Sequence, residues 1–144
     1  MTSTRISTTP AYVLDHQVGF LLRRANQRHL ALFASAIPDL TPTQFAALAR
    51  LCELGQASQN ALGRATSMDA ATIKGVVDRL RRRGLVVSAP DPGDQRRVQL
   101  APTPAGRTVF EGLADKAQQL SRDTLAPLSG PERRTFLALL ARLL

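Results

Sequence analysis

The stretch ATIKGVVDRLRRRGLV, Ala71 to Val86, decides how this chain is read. Ile73, Val76, Val77 and Leu80 recur at spacings of three, one and three, which lines one face of an α-helix. Lys74, Asp78, Arg79, Arg81 and Arg82 fall largely off that face, free to meet solvent or a partner. Gly84 stops the helix just after Arg81, Arg82 and Arg83. Leu85 to Ser88 and Arg97 to Ala101 then read as two short strands, separated by PDPGDQR, whose Pro, Asp and Gly favour a turn. The product is a basic helix beside a hairpin with a polar, basic tip.

The segment before this helix gives it a partner. Ser58 caps a short helix around Gln59 to Ala65, and Thr66-Ser67-Met68-Asp69 forms the turn into the next, with Asp69 as its cap. Two short helices joined by a tight turn make a helix-turn-helix. Further upstream, Thr41-Pro42 opens a helix with Phe45, Leu48, Leu51, Cys52 and Leu54 as its buried side, closed by Gly55. A long first helix is expected over Tyr12 to Ile37, ended by Pro38 and preceded by a disordered Ser/Thr-rich leader, residues 1–10. On the other side, Thr103-Pro104 starts a helix running to about Leu125, and Ser129-Gly130-Pro131-Glu132 opens a last, leucine-rich one.

The expected fold is therefore mainly α, with a small β-hairpin wing. A winged helix-turn-helix lobe, about 40–101, lies between N- and C-terminal dimerisation helices, about 11–37 and 102–144. At 144 residues, 44% of them apolar, the chain suits one folded unit. Its formal charge of +8 favours a polyanionic partner. No run of about 18 apolar residues and no signal-peptide core is present, so a cytoplasmic protein without membrane attachment is expected. The lone Cys52 cannot build an intrachain disulfide framework and fits core packing better than redox sensing. No Gly-rich phosphate loop, metal-ligand cluster or activated nucleophile is visible, so neither an enzyme nor a bound cofactor or metal is expected. His16 and His29 lack a third ligand for zinc.

Three arginines alone would read as a solvated helix face. Joined to a helix-turn-helix and a basic wing, they read as a double-stranded DNA interface. The recognition helix would bring Asp69, Ala70, Thr72 and Lys74 to base edges and phosphates, with Ser58 at the start of the preceding helix. Arg79, Arg82 and the rest of the arginine run suit flanking phosphates, and Arg96 or Arg97 suits the adjacent minor groove.

VVDRLRRRGLV and DQRRVQLAPTPAG are also the stretches by which the chain resembles the multiple antibiotic resistance regulator (MarR) family of bacterial transcription factors. In the second stretch, Asp94, Arg96, Thr103 and Gly106 match the family's Asp-x-Arg, Thr and Gly residue for residue. The resemblance spans nearly the whole chain. It implies Arg96 as the minor-groove residue, oriented by Asp94 through a charge-assisted hydrogen bond. Ser67 departs from the family's usual turn glycine, and Gly75 sits within the recognition helix at a cost in helix propensity.

The terminal helices hold more apolar surface than a small winged lobe needs, so a two-fold homodimer on a pseudo-palindromic operator is expected, as the resemblance also implies. The resemblance further implies a small aromatic carboxylate effector. His16, Phe20 and Arg23 would combine an aromatic wall with carboxylate donors. QVGFLLRRANQRH and SQNALGRATSMDAATIKGVVDRL look most like regulators of aromatic-acid breakdown, of the hydroxylated nicotinate or benzoate type. Repression relieved by ligand follows from that likeness. The competing readings are a dimeric winged-helix module that binds proteins, and a regulator answering a non-aromatic or redox signal.

Overall fold

The computed structural model describes residues 10–144, so the leader, apart from Pro10, lies outside the described residues. A 3₁₀ turn, Leu14–His16, precedes six helices and one hairpin: α1 (Val18–Ala36), α2 (Pro42–Leu54), α3 (Gln59–Ala65), α4 (Ala70–Arg82), β1 (Val86–Asp91), β2 (Asp94–Pro102), α5 (Pro104–Thr124) and α6 (Gly130–Ala141). The expected mainly helical chain with a hairpin wing is what forms.

Local chemistry sets the helix starts. Thr41 accepts from the Gln44 amide at 3.2 Å while the Gln44 side chain accepts from the Thr41 amide at 3.2 Å, a reciprocal box that closes the start of α2. Ser129 and Glu132 repeat the device at α6. Ser58 caps α3, accepting from the Ala61 amide at 3.1 Å, and Asp69 caps α4, accepting from the Thr72 amide at 2.7 Å. In the turn between them Ser67 adopts φ +55°, a left-handed conformation that explains why glycine is favoured there. Gly63 lets α3 approach α4: a Cβ on it would lie 3.2 Å from both Ile73 Cγ2 and the Met68 carbonyl oxygen.

The core lies where α2, α3 and α4 meet β2. Leu48, Leu51, Leu62, Ile73, Val77, Leu80 and Leu100 are all fully buried, each contributing about 1.5–3 kcal/mol of transfer free energy. The buried side of α2 differs from the expected one at its end. Phe45 and Cys52 are half-buried, and Leu54 is 50% exposed, because Gly55 at φ +83° turns the chain toward β2 and leaves the last helical turn at the rim.

Two other expectations need correction. The first helix is broken at Gln17, which is extended (φ −86°, ψ 136°) and donates its side-chain amide to the Val13 carbonyl at 3.0 Å. Leu14 and Val18 keep helical spacing across the break, so periodicity does not reveal it. The strands are also longer than expected, reducing PDPGDQR to a turn at Pro92-Gly93. Leu100 exchanges both backbone hydrogen bonds with Ala57, at 2.7 and 3.0 Å, on the side of β2 away from β1. The pair Ser88–Leu100 therefore exchanges none across the hairpin, nor, by the two-residue alternation, do Pro90–Val98 and Val86–Pro102. Each proline nitrogen points away from the hairpin ladder, so β1 runs through Pro90 with no bond lost.

Outside the lobe, α1 and α5 are tied end to middle. Arg28 donates to the Asp123 carbonyl at 2.9 Å and to that of Thr124, covering exposed carbonyls at the C-terminus of α5, and His29 Nδ1 lies 2.9 Å from Thr124 Oγ1. Helix α6 has no buried residue. An open apolar groove of about 580 Å³ separates it from α1, lined by Val18, Leu21, Leu22, Phe136, Leu139 and Leu143 among others.

Candidate nucleic-acid interface

Helix α4 presents its apolar face to the core and its remaining surface outward. Ala70, Thr72, Lys74, Arg79 and Arg82 are all exposed. Ser58 is half-buried, its hydroxyl engaged by the Ala61 amide. Asp69 stands at the N-terminus of α4, but its carboxylate is occupied as the cap. The backbone and side-chain hydrogen bonds from Thr72 hold its carboxyl below the usual carboxylate range. The three consecutive arginines separate in role. Arg81 and Arg82 are exposed and form no ion pair among the described residues, whereas Arg83 donates to the Asp39 carbonyl and ties the end of α4 to the α1–α2 corner.

The wing is ordered by its own carboxylates. Asp91 accepts from the Gly93 amide at 2.8 Å and from Gln99 Nε2 at 3.0 Å, and these bonds, aided by Arg97, hold its carboxyl below the usual range. Asp94 accepts from the backbone amide of Arg96 at 3.0 Å, while its other oxygen lies 3.8 Å from Arg97 Nε. Asp94 thus fixes the Arg96 main chain, and its side-chain partner here is Arg97. Arg96 and Arg97 are both exposed, and the Arg96 guanidinium has no ion-pair partner among the described residues.

The motif Thr103 with Gly106 joins wing to α5. Thr103 Oγ1 donates to the Gly84 carbonyl at 2.6 Å and accepts from the Gly106 amide at 3.0 Å. A Cβ on Gly106 would fall 2.0 Å from the Leu85 carbonyl oxygen, so only glycine admits this contact between the first turn of α5 and the start of the hairpin.

Of the residues expected near an effector, His16 lies exposed in the 3₁₀ turn, beyond the Gln17 break. Phe20 is half-buried and Arg23 exposed. The cation that meets the Phe20 ring is Arg24, 5.9 Å from its centroid. A second apolar groove, about 400 Å³, opens between α1, α5 and α6 with Asn26, His29, Ser121 and Thr124 as its polar wall. Burial pushes the Cys52 thiol up, with Arg107 opposing. Among the described residues no His/Cys/Asp/Glu group fits a metal ion, and no helix is long and apolar enough to cross a membrane.

Sequence reasoning placed Asp78 off the apolar face of α4 but did not pair it with Lys74, 3.1 Å away, although the four-residue spacing was there to be read. Nor did it separate Arg83 from its neighbours, because a tertiary contact to Asp39 leaves no local signal.

An exposed recognition helix, capped by a helix-turn and flanked by a basic two-stranded wing, defines a winged helix-turn-helix DNA-binding regulator. The chain belongs to the MarR family, whose model matches residues 39–97. It is 40% identical over 144 residues to the transcriptional repressor NicR of Pseudomonas putida, covering 99% of this chain and 90% of that protein. A probable transcriptional regulator from Pseudomonas aeruginosa superposes with a TM-score of 0.89 at 55% identity, covering 92% of this chain and all of that one. BpsR of Bordetella bronchiseptica, whose DNA binding is regulated by 6-hydroxynicotinic acid, superposes with a TM-score of 0.88 at 39% identity, covering 92% and 96%.

Proposed function

We propose that the chain is a homodimeric repressor of an aromatic-acid catabolic operon, of the hydroxylated nicotinate or benzoate type, released from a pseudo-palindromic operator by a small aromatic acid. The observation that carries the effector class is the likeness to BpsR along nearly the whole chain. DNA contact falls to Ala70, Thr72 and Lys74 at the N-terminal half of α4, to Arg79 and Arg82 on its flank, and to Arg96 in the minor groove. Ser58 and Asp69 fix the helix starts, and Asp94 and Arg97 shape the wing around Arg96. The apolar sides of α1 and α6 would close on a second copy, which sets the spacing of two recognition helices at about one helical turn.

The effector is assigned to the α1 side, where His16, Phe20 and Arg23, together with Arg24, offer an aromatic ring beside cations for a carboxylate. Release follows if the acid favours a dimer whose recognition helices are wrongly spaced for DNA. A redox signal through Cys52 is opposed by its burial, which keeps the thiol protonated. The test is an operator-binding titration with 6-hydroxynicotinic acid and hydroxybenzoates. Weakened binding by one of them and a raised melting temperature support the reading; a panel that moves neither overturns the effector class. A steep loss of operator affinity with salt distinguishes DNA binding from a protein-interaction module.

A further inference from the structure

Asp78 is a carboxylate on a surface otherwise built to meet phosphates. Its neighbours Arg79, Arg81 and Arg82 are all exposed, and Lys74 Nζ donates to its Oδ2 at 3.1 Å, with the two side chains 69% and 34% exposed. Helix stability does not explain the pair. The acid follows the base by four residues, the less favourable order, and it lies in the C-terminal half of α4, where the negative end of the macrodipole opposes it. Gly75 stands beside the pair in the helix interior. A Cβ there would meet nothing within 4 Å and its φ is not left-handed, so neither packing nor backbone requires glycine. Ala71 lies one turn before it. The outward ridge is therefore low next to Lys74 and Asp78, and a groove floor can come close to them.

We propose that Lys74 and Asp78 act as one unit that reads a G·C base pair in the major groove, a specificity role that rests on the DNA-binding assignment of α4. A G·C pair displays two acceptors, guanine N7 and O6, followed by one donor, the cytosine amino group. Lys74 spends one of its three donors on Asp78 and keeps two for N7 and O6, while Asp78 retains lone pairs for the cytosine N4–H. The Nζ to Oδ2 distance of 3.1 Å matches the separation of guanine O6 and cytosine N4, about 2.9 Å for a hydrogen-bonded pair. An A·T pair displays acceptor, donor, acceptor in the same places. It would set Lys74 against the adenine amino group and Asp78 against thymine O4.

Selection of binding sites from randomised duplexes by the purified protein, followed by affinity measurements on the selected site with G·C or A·T at each position, tests this. The wild-type protein is expected to prefer G·C at one position of each half-site by about tenfold or more. Asp78→Ala and Lys74→Ala should each shrink the preference at that position and leave the others intact, with melting temperatures near the parent's because Lys74 is exposed, Asp78 only half-buried, and neither belongs to the core. Removing a negative charge also tightens binding to every duplex, so the ratio between sequences is the readout. If Asp78→Ala tightens both duplexes equally and the ratio stands, Asp78 merely restrains Lys74 and the proposal falls alone. If the wild-type protein selects no sequence at all, it falls together with the DNA-binding assignment.

Discussion

The reading head and the terminal helices are built to different degrees of completion. From α2 to β2 most large apolar residues are buried, Leu54, Val87 and Val98 excepted, the helix starts are capped, and even the three arginines are divided between structure and surface. In the arms α6 has its capping box but α1 has no side-chain cap, and Val18, Leu21, Leu22, Leu137, Leu139 and, just past α6, Leu143 remain exposed. Both regions have apolar periodicity, so pattern alone does not separate a finished core from a surface awaiting its cover. The difference supports the proposal that a second copy covers the terminal helices while the head meets DNA.

The sharpest way to break this contrast is to charge the arms. Leu139→Lys combined with Leu143→Lys should give a folded monomer by sedimentation, with operator affinity reduced by roughly a hundredfold or more as the linked second head is lost. A dimer that survives both substitutions would move the interface elsewhere. Next comes the joint between the two regions: Gly106→Ala should destabilise the chain by about 3 kcal/mol or more in urea unfolding, since its methyl would overlap the Leu85 carbonyl. Unchanged stability would mean that α5 is not held against the hairpin as described.

Within the head, Arg96→Ala should weaken operator binding about tenfold to hundredfold and lower the salt slope by about one. Arg97→Ala, whose guanidinium is already near Asp94, should cost less, and equal losses would contradict the division of the wing arginines. The smallest effect is acid dependence. Asp69 and Asp91 in the head and Glu132 in the arms all have carboxyls held below their ordinary values by hydrogen bonds. The unfolded chain therefore binds more protons as pH falls below the usual carboxylate range. Their contribution is complete above that range and is lost as pH drops through the depressed values. Asp69→Asn keeps a capping oxygen and should flatten part of the decline, measured as melting temperature against pH.

Much of this was legible in the sequence because it rests on local chemistry. Thr41, Ser58, Asp69, Thr103 and Ser129 each announce a helix start, Gly55 and Gly84 each mark an end, and the 73-76-77-80 spacing orients α4. What was hidden depends on distant partners. Leu54 keeps the period of its helix but lies where the core has ended. Arg83 looks like Arg82 until Asp39 is brought beside it, and the Ala57–Leu100 bridge joins residues with no shared pattern. The candidate effector residues were legible as types, but the Gln17 break separates His16 from the helix that bears Phe20 and Arg23.

Pro90 has a consequence beyond the hairpin that contains it. Among the described residues the outer margin of β1 has no strand against it, and such margins recruit stray strands from neighbouring molecules. A ring nitrogen where an outward amide would stand removes one rung from any such zipper. Pro90 thus weakens any wing-to-wing pairing between neighbouring copies of the chain.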